Sequence, residues 1–183
     1  MSEIMQDPSA LAGFLDKLKS SDANTRMTAW KSAGPMGAEA ILPLGELACS
    51  SYKGIAKAAV EAMRVIAHYA ARPGSKEKEA VSTELIQLAD SAKPRMVRAD
   101  ALQLVGTLGD AKAIPTLTKL LADTDVQEDA RMALERIPGM ASLSALRTAQ
   151  KQAAAKNSAF EKNLQQSLNN RKLTPKTVGI GNN

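Results

Sequence analysis

A short phrase that occurs four times in this chain constrains its fold more than any other sequence feature. Each copy is an alanine followed by Trp, Met or Leu, with another apolar residue four positions after the alanine. The copies begin at Ala29, Ala62, Ala101 and Ala133, and their third members are Ala33, Ile66, Val105 and Ile137. The copies start 33, 39 and 32 residues apart. This period indicates stacked supersecondary units, each of which buries its apolar side against its neighbours.

The composition favours helices as the repeated element. Hydrophobic residues make up 44% of the chain and aromatic residues only 3%. Alanine is abundant, and such thin, helix-forming residues suit closely stacked helices. No segment alternates β-branched and polar residues in the manner of a strand. We predict an all-α chain that forms a short α-solenoid of stacked antiparallel helix pairs.

Helix start and stop signals divide residues 9–140 into four two-helix units. In the first unit, Asp7-Pro8 opens a helix, Ser20-Ser21-Asp22 separates it from the next, and Gly34-Pro35 ends the second helix. The same plan recurs in the later units, which end at Arg72-Pro73-Gly74, at Gly106 to Gly109 and at Pro138-Gly139. Each unit is predicted to expose part of its second helix.

The C-terminal region differs from the repeats in pattern and in charge. Residues 141–168 keep a looser apolar spacing, which predicts a degenerate fifth repeat or capping helices, or alternatively a free amphipathic helix that docks on a partner. Residues 169–183 have no periodicity and are predicted to form a flexible basic tail. Residues 1–140 contain 17 Lys/Arg and 18 Asp/Glu, whereas residues 141–183 contain seven and one. The positive charge of the chain is therefore concentrated at this end.

Two stretches resemble a known repeat family. Val97-Arg98-Ala99-Asp100-Ala101-Leu102 with Gly106 to Gly109, and Ala113-Ile114-Pro115 through Asp125, are similar to HEAT repeats, closest to the HEAT-like subtype of the phycobilin lyase type. The resemblance covers roughly residues 9–138 and implies a right-handed solenoid. It also implies Asp–Arg pairs at the turns between helices, for which Asp22 with Arg26 and Asp125 with Arg131 are the nearest matches. The Arg position is not filled in the second unit, where Ala59 stands.

Residues with catalytic or metal-binding chemistry are scarce. One His and one Cys cannot supply the ligands of a zinc site. Cys49 and His68 are the only nucleophile–base candidates, and no cysteine-hydrolase signature surrounds them. Gly106 to Lys112 lacks the spacing of a phosphate-binding loop. We therefore predict a protein that is not an enzyme and has no catalytic residues, no cofactor and no metal.

A protein-interaction or scaffolding role is the function that the sequence favours. The position two residues after each repeat alanine is expected to be exposed on the second helix, so Lys31, Arg64, Gln103 and Glu135 are the predicted partner-binding residues. These four do not form a continuous basic stripe. Two alternatives stay open. One is a lyase or chaperone-lyase subunit acting on a chromophore protein, implied by the repeat subtype. The other is a HEAT-like nucleic-acid-binding protein that uses the basic C-terminal region.

The sequence also suggests a location. Its first residues lack the basic start and apolar run of a signal peptide, and no stretch approaches the roughly 20 apolar residues that span a bilayer. We predict a cytoplasmic protein without a membrane partner. Nothing in the sequence indicates an oligomeric state.

Overall fold

The computed structural model describes residues 8–153 and 158–173, and within these ranges it contains ten α-helices and no strand. The helices are α1 Pro8–Lys19, α2 Ala23–Lys31, α3 Ile41–Ala48, α4 Lys53–Ala70, α5 Lys78–Ala89, α6 Arg95–Leu108, α7 Ile114–Leu120, α8 Gln127–Arg136, α9 Met140–Ala153 and α10 Ala159–Leu173. Short 3₁₀ turns at Gly34–Met36, Ala38–Ala40 and Ala111–Ala113 lead into α3 and α7.

The helices form five pairs in two layers. Each odd-numbered helix packs against the even-numbered helix that follows it. The even-numbered helices also contact one another in order, from α2 through α4, α6 and α8 to α10. Among the odd-numbered helices, α3 contacts α5 and α7 contacts α9. The predicted all-α solenoid of stacked helix pairs is confirmed.

The repeated phrase forms the centre of the stack. All four alanines and their third members are buried, with relative exposures between 0 and 3%. Met63, Leu102 and Leu134, which follow three of the alanines, have no exposed surface. Trp30 is half-buried against the edge of the same core. A small alanine beside a large apolar residue lets second helices approach closely while the space between the layers is filled.

Helix ends follow the local sequence. Asp22 is the N-cap of α2, because its carboxylate accepts a hydrogen bond from the backbone N–H of Thr25 at 2.7 Å. Gly109 closes α6 in the left-handed conformation, with φ of 64°. Asp110 then accepts from the backbone N–H of Lys112 and starts the turn before α7. The predicted cap at Asp7 lies outside the described residues.

The C-terminal helices belong to the stack. α10 packs against α9 and also against α8, and Leu146, Leu164 and Leu168 are buried there. The structure therefore does not show a free amphipathic helix. α10 continues to Leu173, so the predicted start of the flexible tail at residue 169 is too early. Residues 174–183 lie outside the described residues.

Across the two described ranges, no helix is both long enough and apolar enough to cross a lipid bilayer.

Candidate interaction surface

The exposed sides of α2, α4, α6, α8 and α10 form one surface, which we call the second-helix face. Three of the four predicted partner-binding residues are accessible on it. Lys31 is exposed, with its Nζ 5.8 Å from the centre of the Trp30 ring. Arg64 is half-buried and its Nη1 lies 3.6 Å from Oε1 of Glu61. Gln103 is exposed on α6.

Glu135, the fourth predicted residue, is engaged within the chain. Its carboxylate accepts hydrogen bonds from Nη1 of Arg131 at 3.0 Å, Oγ of Ser167 at 2.6 Å and Nδ2 of Asn170 at 2.8 Å. Burial acts to raise the pKa of Glu135, but these bonds and the Arg131 charge outweigh burial and hold the pKa below its usual value. Glu135 therefore joins α8 to α10 and is not a free contact residue.

Two small cavities open side by side on the C-terminal half of the second-helix face. One, of about 240 Å³, lies between α6 and α8 and is lined by Gln103, Asp129, Met132 and Arg136. The other, of about 260 Å³, lies between α8 and α10. Both include Met132 and Arg136, so these two side chains form a ridge between them. We call the two cavities together the α8 groove.

Arg136 reaches this position because α6 has a glycine opposite it. A Cβ placed on Gly106 would lie 3.2 Å from Cδ of Arg136 and 3.1 Å from Cα of Ala133. The missing side chain lets α8 approach α6 and lets the Arg136 methylene chain lie over the α6 backbone. Sequence reasoning treated Gly106 as part of the turn, whereas the structure places it inside α6 as a packing residue.

The charges around the α8 groove are mostly paired. Asp129 accepts from Nη2 of Arg95 at 3.2 Å, and Glu128 accepts from Nε of Arg131 at 2.8 Å. Arg136 is exposed, and within the part of the chain that the structure describes it has no hydrogen bond or ion pair. As far as the described residues form it, the groove therefore presents one guanidinium without a partner beside acids that are paired with Arg95 and Arg131.

Asp100 lies further along the same face, on α6. Burial is the main reason why the pKa of Asp100 is raised, and the nearby Asp129 and Glu61 charges add to the effect. The positive charge of Arg64 on α4 acts in the opposite direction. The surroundings of this half-buried carboxylate therefore disfavour its charged form.

The predicted Asp–Arg pairs at the turns do not form. Asp22 caps α2, while Arg26 donates from Nη1 to the backbone oxygens of Ser20 and Ser21 and lies 5.3 Å from the Tyr52 ring centre in the next unit. Arg131 pairs with Glu128 and Glu135 on its own helix, and the backbone oxygen of Asp125 accepts from Nε of Arg95 at 2.9 Å.

The Arg position of the third unit does link neighbouring units. Arg98 donates from Nε to the backbone oxygen of Ala89 at 2.8 Å and from Nη2 to Asp123 of the next unit at 2.5 Å. The Arg98 hydrogen bond lowers the pKa of Asp123. The signal for this link was Arg98 itself, which stands at the same place before its alanine as Arg26.

The structure separates the two residues considered for nucleophilic catalysis. Cys49 is exposed just after the end of α3, beside the start of α4. His68 is fifteen residues into α4, roughly 22 Å along the helix at 1.5 Å per residue. They therefore lie at opposite ends of one helix pair. Within the described ranges, no three His, Cys, Asp or Glu side chains are grouped where they could hold a metal ion.

A larger cleft, of about 620 Å³, lies away from the second-helix face. It is bounded by α7, α9 and the start of α10, with Leu121, Ala149 and Phe160 among its lining residues. None of the described side chains that line the cleft is charged. Its border at Ala153 and Ser158 adjoins residues outside the described ranges.

No protein-family model matches the chain, and no curated protein matches it. Among solved structures, the chain is similar to an engineered protein whose crystal structure has been determined. The identity is 21% and the TM-score 0.48, with 90% of this chain and 80% of that chain covered. A likeness of this size carries no argument about family or function.

Proposed function

We propose that this chain is a non-catalytic protein-interaction module of HEAT-like repeats, which binds a protein partner on its second-helix face in the cytoplasm. The observation that supports this proposal is the continuity of that face. Five second helices contact one another in order and present accessible side chains from successive units, including Lys31, Arg64 and Gln103. Repeat proteins of this architecture generally bind partners through such extended surfaces.

The α8 groove concentrates the accessible chemistry of that face. Met132 is 39% exposed and Arg136 is unpaired in the described residues. Arginine and methionine are enriched at protein interfaces relative to the rest of the surface. We therefore replace Glu135 with Met132 and Arg136 in the set of proposed contact residues.

The nucleic-acid alternative is weakened by the role of Arg171. This residue belongs to the basic C-terminal region, but its guanidinium donates to the backbone oxygens of Glu135 at 3.0 Å, Ile137 and Gly139 at the end of α8. A cation that satisfies helix-end carbonyls is less available for phosphate contacts. Nothing in residues 8–153 and 158–173 specifically favours the lyase alternative.

The proposal is tested with the full chain as bait in the native lysate at moderate salt. Lys31→Glu with Arg64→Glu, and separately Arg136→Glu, should each reduce capture of a partner that the unchanged chain retains. The matched control is Lys17→Glu with Arg147→Glu, which reverses two exposed charges on α1 and α9. The comparison uses only variants whose melting temperature equals that of the unchanged chain, because charge reversal at Arg64 places a second negative charge beside that of Glu61.

A partner that is captured equally by both second-helix-face variants, and lost from the α1 and α9 control, would place binding on the other layer and contradict the proposal. Capture that is abolished by nuclease would instead support the nucleic-acid alternative.

A further inference from the structure

We propose that the α8 groove binds an extended segment of the protein partner that carries a single Asp or Glu, with that carboxylate on Arg136 and the segment's main chain on the side-chain amides that flank it. This inference rests on the proposed function and names the chemistry of the partner. It depends on three features of the groove, which are a cation without a partner among the described residues, oriented carboxamides and an exposed thioether.

The free cation selects a single negative charge. Arg136 is exposed and unpaired among the described residues, and its guanidinium offers several N–H donors in the fork geometry that matches a carboxylate. Its methylene chain is supported by the α6 backbone at Gly106. The stem is thus positioned before a partner arrives, which reduces the entropy lost on binding.

The surrounding acids argue against a polyanion. Glu128, Asp129 and Glu135 lie around the ridge, where Arg95 pairs with Asp129 and Arg131 is shared by Glu128 and Glu135, so three carboxylates face two guanidiniums. A nucleic acid brings a row of phosphates and needs a row of unneutralised cations. Among its described residues the α8 groove offers one such cation, and the neighbouring carboxylates, which outnumber the guanidiniums paired with them, would repel further phosphates. An isolated carboxylate avoids that repulsion.

Side-chain amides stand on both sides of Arg136. Gln103 is exposed on α6 and makes no side-chain hydrogen bond within the described ranges. On α10, Asn163 and Gln166 lie three residues apart and so share one side of the helix. Asn163 donates one N–H to Glu128 at 2.7 Å, and Gln166 donates one to Asn170 at 2.9 Å.

These anchored amides suit a peptide main chain. A carboxamide has two N–H donors and a carbonyl acceptor, and each internal bond uses only one donor. Asn163 and Gln166 therefore retain both a donor and an acceptor in an orientation that the internal bond restricts. A peptide main chain alternates the same two functions, whereas an aliphatic surface has neither.

The third feature is the exposed thioether of Met132, which separates the two cavities. Each cavity, at about 240 to 260 Å³, is below the usual size of a small-molecule pocket. They are better matched to single side chains of a bound segment, on either side of the Met132 and Arg136 ridge. Methionine adapts to side chains of different shape.

The test uses a random library of displayed ten-residue peptides, selected against the immobilised full chain. We expect enriched peptides to share one Asp or Glu. A representative is then synthesised with a fluorophore, together with a copy in which that acid is replaced by its amide. By fluorescence anisotropy, the amide copy and the Arg136→Gln variant should each weaken binding about tenfold, the effect of losing a charge-assisted bond. Combining the two changes should cost little more than either alone.

The matched control is Arg147→Gln, which removes an exposed arginine from α9 and should leave peptide affinity unchanged. Asn163→Leu with Gln166→Leu should weaken the acid peptide and its amide copy by the same factor, because these side chains are assigned to the main chain. Melting temperatures of the variants identify any loss that is due to unfolding.

Three results would overturn the inference. The first is enrichment of basic or uncharged peptides, and the second is unchanged affinity of the acid peptide for Arg136→Gln. The third is that no peptide is selected, while a fluorescent single-stranded oligonucleotide binds to the unchanged chain and not to Arg136→Gln. The groove would then be a phosphate-binding site. Failure of the proposed function gives a different result. Partner capture that is insensitive to all second-helix-face variants contradicts the proposed function. Capture that is lost in Lys31→Glu with Arg64→Glu but kept in Arg136→Gln contradicts only the assignment of the groove.

Discussion

Helix α8 contacts α6 on one side and α10 on the other, and the two contacts are built differently. Against α6 the approach is close and made of small residues, with Gly106 facing the backbone of Ala133. The contact with α10 includes a set of side-chain hydrogen bonds. Arg131 bonds Ser167 at 2.5 Å, and Arg171 donates to the backbone oxygens that end α8.

The difference shows two ways of stacking one unit on the next. The α6–α8 contact depends on shape, because close-packed backbones tolerate no added atoms. The α8–α10 contact depends on satisfied donors and acceptors, because a polar group left buried without a partner costs more than its bond contributes. Disruption of the first should act through volume, and disruption of the second through charge and hydrogen bonding.

The largest effect is expected from Gly106→Val. Its Cβ would lie 3.1 Å from Cα of Ala133, and two further methyl groups would have no space. Overpacking of this kind should lower the free energy of unfolding by about 3 kcal/mol, measured by urea denaturation. Gly13→Ala on α1 is the control, since no atom lies within 4 Å of the added Cβ, and it should stabilise by up to about 1 kcal/mol. Equal stability of both variants would show that the α6–α8 contact is loose.

Arg131→Met should have the next largest effect, at about 2 kcal/mol. The change removes a side chain that is only 12% exposed and leaves Glu128 and Glu135 without their cation. Adding Glu135→Leu should recover part of the loss, because replacing both partners of a pair is less costly than removing one. If the double variant is as unstable as the sum of the single changes, the α8–α10 contact is not governed by pairing.

Arg171→Ala should cost about 1 kcal/mol and act locally. The carbonyls of Glu135 and Gly139 would lose their side-chain donor, so α10 and the end of α8 should open more often. Hydrogen exchange should therefore speed up in these two segments while the rate in α4 stays unchanged. Arg147→Ala, an exposed arginine on α9, should leave the exchange of all three segments as it is.

The smallest effect concerns pH and has opposite signs at two carboxylates. Because the pKa of Glu135 is lowered in the folded chain, its carboxylate stabilises the fold at any pH above the ordinary pKa of a glutamate. This contribution is lost as the pH falls through the lowered pKa. The raised pKa of Asp100 works the other way, so stability is regained as the pH falls through the raised value.

Urea unfolding between pH 3 and pH 7 measures both signs. Glu135→Gln should be less stable than the unchanged chain at pH 7, by about 1 kcal/mol or less, and should approach it at low pH. Asp100→Asn should be equal or more stable at pH 7 and should lose that advantage on acidification. Parallel curves for the two variants would mean that neither carboxylate is perturbed by its surroundings.

The apolar contact could be predicted and the polar one could not. Ala133, Leu134 and Ile137 repeat a phrase found in three other units, so their burial followed from periodicity. Ser167 and Arg171 have no counterpart in the repeats, and Arg171 falls where the apolar spacing has ended. Its role depends on α10 lying parallel to α8, so that the guanidinium reaches carbonyls 32 to 36 residues earlier in the chain.

The candidate site could also be predicted only in part, because periodicity shows which helix positions face outward but not which of them a neighbouring helix contacts. The register of the repeat indicated that Lys31 and Gln103 would be exposed on second helices, and they are. The same register selected Glu135, which α10 engages, and it passed over Arg136 beside it. Which of two adjacent polar residues is free depends on the neighbouring helix, and one helix cannot specify that.

The sequence by itself determined the helices, their pairing into units and the apolar centre of the stack. These features depend on the periodic spacing of apolar residues and on local caps, both of which are written within a few turns of chain. Only the tertiary structure decided that α10 completes the stack, that Gly106 admits α8, and that Arg136, beside the engaged Glu135, has no partner among the described residues. Each of these outcomes depends on distances between residues that are far apart in the sequence. A change of about one ångström in such a distance is enough to make or break a hydrogen bond.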